Sequence, residues 1–81
     1  MKEEIINLYE AYKKYVGHYC FFKTYGQEHF RESVMEADDS KLKAILESIL
    51  KETQEEFDRY EDMEVLVYQT EFAEMLECLC D

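Results

Sequence analysis

Apolar residues recur along this chain at intervals of three and four, the spacing that lines one face of a helix. In the first segment Ile5, Leu8, Tyr9, Tyr12, Val16, Tyr19 and Cys20 share a face, with Glu3, Asn7, Glu10 and Lys14 opposite. The pattern predicts a helix from Lys2 to about Tyr19. Past Cys20 the phase breaks, since Phe21 points off the stripe and Lys23 along it. The helix therefore bends near Gly17 or ends before Gly26, where glycine supplies a left-handed C-terminal residue. The tyrosines are expected to pack along their rings with hydroxyls reaching water.

A short helix is predicted over Gln27 to Ala37, with Phe30 and Val34 one turn apart and Met35 beside them. Asp38, Asp39 and Ser40 read as a loop and N-cap, because their side chains accept from free backbone amides. The next helix, Lys41 to about Tyr60, has the clearest pattern: Leu42, Ile45, Leu46, Ile49, Thr53, Phe57 and Tyr60 form its buried face. Glu47 with Lys51 and Glu55 with Arg59 are favourable pairs on the wet side.

The last predicted helix runs from Asp62 or Met63 to Cys80, with Val65, Tyr68, Phe72, Met75, Leu76 and Leu79 on one face and Asp62 as a cap. A short strand over Val65–Tyr68 is the alternative, since these residues are strong strand formers. No strong breaker lies between Arg59 and Glu64. One continuous helix is thus a further alternative, and dimerisation would then cover its apolar stripe. The expected fold is all-α: a compact three- or four-helix bundle in one acidic domain over residues 1–81.

Composition agrees with few, long helices. The 81 residues include no proline and two glycines, and 47% are hydrophobic, enough for one modest core. Nothing at the start resembles a signal peptide, and no run approaches the ~18–20 apolar residues of a membrane span. A complete cytoplasmic protein is expected. The three cysteines, Cys20, Cys78 and Cys80, fit a reducing compartment as partly buried thiols, since their number is odd.

Charge changes the picture most. The net charge is −11, and it is segregated: residues 1–31 carry five Lys/Arg against four Asp/Glu, residues 32–81 four against sixteen. That exceeds the magnitude of ~2–8 that solubility alone asks of a small domain.

Catalytic signatures are missing. There is no glycine-rich phosphate loop, no G-x-S-x-G, no H-E-x-x-H and no Glu-x-x-His pair, so no enzyme is expected and no cofactor. Asp58, Tyr60, Asp62 and Glu64 lack the glycine and final glutamate of a calcium loop. His18, Cys20, Cys78 and Cys80 comprise a legitimate zinc donor set. Residues at i and i+2 of a helix nevertheless face apart, and ordinary thiols with a surface imidazole are the expectation. Cys78 is fourth from the end, as a prenylated cysteine would be, but Asp81 is the wrong terminus and the preceding stretch is acidic.

What remains is the carboxylates. Glu64, Glu71, Glu74, Glu77 and Asp81 form a stripe opposite the apolar face of the last helix, while Glu52, Glu55, Glu56 and Asp58 cluster on the preceding one and Glu61 and Asp62 lie between. Neighbouring carboxylates on such a face are ~5–6 Å apart, broadly the interval of phosphates along a nucleic-acid strand. Their mutual repulsion is relieved by a cationic partner.

The expected function is therefore a protein-binding inhibitor or regulator. Its acidic face would occupy the basic surface of a nucleic-acid-binding protein or nuclease, through Glu52, Glu55, Glu56, Glu61, Asp62, Glu64, Glu71, Glu74 and Glu77. Phage anti-restriction and anti-CRISPR proteins act as DNA mimics of this sort, an analogy of size and charge rather than of motif. Direct binding to nucleic acid is not expected, on the same electrostatic grounds. The alternative is an adaptor bundle acting through apolar contacts near Phe21, Phe22 and Tyr25, as a homodimer or on a partner helix.

Overall fold

The computed structural model describes residues 1–17 and 29–80. Among them are four helices and no strand: α1 Lys2–Val16, α2 over 29–36, α3 Asp39–Tyr60 and α4 Met63–Cys80. The fold is all-α, as the periodicity predicts. The expectations placed on His18, Tyr19, Cys20, Phe21, Phe22, Lys23, Tyr25, Gly26, Gln27 and Asp81 lie outside the described residues. The chain divides into two units, Met1–Ala37 and Asp38–Asp81. No helix among the described residues is long and apolar enough to cross a membrane.

In the first unit, α1 stops earlier than predicted. Gly17 adopts φ 80° and ψ 17°, and its N–H donates to the Lys13 carbonyl. A Cβ there would meet nothing within 4 Å, so the left-handed backbone rather than space selects glycine. The buried face is also turned from the predicted stripe: Ile5, Ile6, Tyr9, Tyr12 and Lys13 are buried, while Leu8 and Val16 are half-buried. Tyr9 and Tyr12 lie deeper than positions at a wet edge, with Tyr12 only 1% exposed, whereas Tyr15 is exposed. Lys13 enters the buried face with its Nζ 5.3 Å from the Tyr9 ring centroid and 5.9 Å from that of Tyr12. Its stem adds apolar contact and its ammonium faces two π-systems, which lowers the cost of burying a charge.

Polar and aromatic contacts among the described residues join α1 to α2. Lys2 Nζ donates to the Met35 carbonyl at 2.8 Å, Arg31 donates twice to the Glu3 carboxylate, and the Tyr9 and Phe30 rings meet. As the α1 partner advances from 2 to 9 the α2 partner falls from 35 to 30, so the two helices run antiparallel. The Arg31 hydrogen bonds hold the Glu3 carboxyl below the usual carboxylate range.

The second unit is a helical hairpin. Asp38 is the N-cap, its carboxylate accepting from the Lys41 N–H at 2.8 Å, and α3 begins at Asp39 rather than Lys41. Leu42, Leu46, Ile49, Thr53 and Glu56 are its buried residues. Ile45 and Phe57 are half-buried, and Tyr60, predicted to be buried, is 65% exposed. The observed spacing of 4, 3, 4 and 3 is a narrower seam than the predicted face. Such a seam suits a helix packed along one neighbour.

α3 and α4 are separate helices. Glu61 takes a left-handed φ of 52° and its N–H donates to the Phe57 carbonyl, which closes α3 as a glycine usually would. One continuous helix is thereby excluded, and so is a strand at Val65–Tyr68. Gln69 donates to Gln54 across the hairpin at 3.0 Å. These residues lie equally far from the turn, which fixes the antiparallel register.

Candidate partner-binding face

The acidic face is set by how α4 is held. Val65 and Phe72, two turns apart, are both fully buried and fix the helix rotation. Glu64, Glu71, Glu74 and Glu77 consequently turn outward, and all four are exposed. From Glu64 to Glu77 the row extends ~20 Å along the axis. The helix sequence contains no Lys, Arg or His.

The remaining predicted residues divide. Glu55 and Glu61 are exposed, and Glu52 and Asp62 are half-buried. Asp62 is engaged as the α4 cap, its Oδ1 accepting from the Glu64 N–H at 3.0 Å. Glu56 corrects the prediction, because it is only 7% exposed and stands in the α3 seam. The signal was present in the sequence: position 56 continues the series 42, 46, 49, 53 that the apolar residues establish. Asp58, also exposed, accepts from the Gln54 amide at 2.9 Å and so joins the polar chain that ends at Gln69.

Two further side chains on the α4 outer face were not anticipated. Met63 is 68% exposed and Val67 53%, one turn apart and set among Glu64, Glu71 and Glu74. Their absence from the predicted apolar stripe was itself the signal.

Helix polarity sets α4 apart. α1 carries Glu3 and Glu4 in its first turn and Lys13 and Lys14 in its last; α3 has Asp39 first and Arg59 last. Both arrangements complement the helix macrodipole. α4 has no base in its last turn, where Glu77 stands against the negative end, and Glu71, Glu74 and Glu77 repel one another at i,i+3.

Cys78 and Cys80 are free and exposed, more open than the partly buried thiols expected. Among the described residues no group of three His, Cys, Asp or Glu is placed to hold a metal ion. Comparison with protein-family models, curated proteins and solved structures finds no match to this chain.

Proposed function

We propose that the protein acts by binding, presenting its acidic face to the basic, nucleic-acid-binding surface of a partner protein in the manner of a DNA-mimic inhibitor. The observation that carries this reading is α4, an outward row of four glutamates with no cation in the helix, whose last member, Glu77, stands against the negative end of the helix. Such a row costs the free protein stability, and a cationic partner recovers that cost on binding.

Charge distribution supports it further. The second unit has fourteen Asp/Glu against four Lys/Arg, while the first has six against five. The excess therefore coincides with the hairpin rather than being spread for solubility. Phosphate-like spacing makes a surface that holds nucleic acid the natural target, and the cytoplasm its compartment.

The test is capture of partners from host lysate on the immobilised protein, eluted by rising salt, with added DNA as competitor. A DNA- or RNA-binding protein released at moderate salt, displaced by DNA and lost on charge reversal of Glu71, Glu74 and Glu77 supports the reading. Retention that ignores both salt and those substitutions overturns it in favour of an adaptor working through apolar contacts.

A further inference from the structure

The α4 face is more than a row of charges. Met63 and Val67 form an exposed apolar ridge ~6 Å long, with Glu64, Glu71 and Glu74 around it and Glu61 in the turn before it. Tyr60, the last residue of α3, adds a third exposed apolar side chain at the same corner of the hairpin. Pure phosphate mimicry has no use for these side chains, since a charged or hydroxylated residue would keep the face more soluble.

We infer that this ridge receives the apolar side of a basic amphipathic helix on the partner protein, with the partner's Lys and Arg reaching the surrounding glutamates. The inference rests on the proposed acidic-face reading and names the element of the partner that is bound. Charge complementarity selects the occupant. A second copy of this chain would bring one glutamate rim against another, and anionic lipid or nucleic acid would be repelled in the same way. A basic helix with apolar residues at i and i+3 or i+4 offers an apolar strip of matching spacing, flanked by cations on both sides. The apolar contact supplies affinity that salt does not screen, and the rim supplies orientation and encounter rate.

The experiment uses the full-length protein and two synthetic helical peptides of about 18 residues with identical Lys positions, one with Leu and the other with Gln on the opposing face. Isothermal titration at low salt measures both. The Leu/Lys peptide is expected to bind at least about tenfold more tightly than the Gln/Lys peptide. Met63→Gln with Val67→Gln should erase that preference while leaving the circular dichroism melt unchanged. Glu71→Lys with Glu74→Lys should weaken both peptides together. Equal binding of the two peptides, or a preference that survives the Met63 and Val67 substitutions, overturns the ridge while leaving the acidic-face reading standing. If neither peptide binds at low salt, both readings fall.

Discussion

The rings of Tyr9 and Phe30 lie 4.5 Å apart, centroid to centroid, at an interplanar angle of 30°. This contact ties α1 to α2 beside the Glu3–Arg31 pair and adds an apolar contact to that junction. Tilted rings at this range contribute beyond the area they bury. Phe30 is half-buried, so Phe30→Ala is expected to cost about 2 kcal/mol, less than a fully buried phenylalanine would. A urea titration followed by circular dichroism measures it.

The same tyrosine gives the first unit an alkaline limit. Burial, with Tyr12 as a lesser contributor, pushes the Tyr9 hydroxyl up from 10.0 to about 12. The unfolded chain releases this proton near the ordinary value while the folded chain still holds it. The contribution is therefore fully present below about pH 10 and is lost as the pH rises towards 12. Tyr9→Phe should flatten the fall of melting temperature across that window relative to wild type. Equal slopes in the two proteins would refute the assignment.

The seam of α3 separates folding from binding. Glu56 is buried whereas Glu74 is exposed on α4. Glu56→Lys is expected to destabilise the protein by about 1–3 kcal/mol by placing a longer side chain of opposite charge at a position only 7% exposed. Glu74→Lys should raise stability slightly, because it relieves the repulsion from Glu71 and Glu77, and should reduce partner capture. Melting curves and salt-gradient retention on the same two variants distinguish the outcomes.

The fold class was legible in the sequence because three- and four-residue spacing recurs within each predicted helix, and the chain has no proline and only two glycines to break it. Val65–Tyr68 has strand-forming side chains, yet the register that buries Val65 with Phe72 overrides local preference. The helix ends were harder to place. Glu61 closes α3 in a left-handed conformation that no sequence rule assigns to glutamate, and Gly17 does so for α1 within a stretch whose apolar stripe continues to Tyr19. In the candidate site, residue type hid position. Glu56 reads as surface because it is charged, although its place in the heptad seam buries it. Met63 and Val67 are marked in the sequence only by lying off the apolar stripe, and their exposure gives that position its meaning.

Gly17 offers a direct test of backbone against packing. Gly17→Ala should lower stability by about 1 kcal/mol through the left-handed φ alone, since a methyl group there meets no neighbour. Gly17→Asn should cost less, because asparagine tolerates that conformation. Equal losses for the two variants would mean that the chain beyond Val16 sets the cost instead.

The last turn of α4 predicts an inverse relation between stability and binding. Glu77 is exposed beside the negative end of the helix and one turn from Glu74, so it is unfavourably placed in the free protein. Glu77→Lys reverses both interactions: it complements the macrodipole and gives Glu74 an opposite charge. The expected result is a gain of about 0.5–1 kcal/mol in stability at low salt, fading as salt screens the charges. If the acidic row is retained for a cationic partner, the same substitution weakens capture while it stabilises the fold. Paired thermal melts and retention measurements at two salt concentrations read both quantities. A variant that is more stable and captures equally well would show that Glu77 serves neither fold nor partner, and the binding face would then end at Glu74.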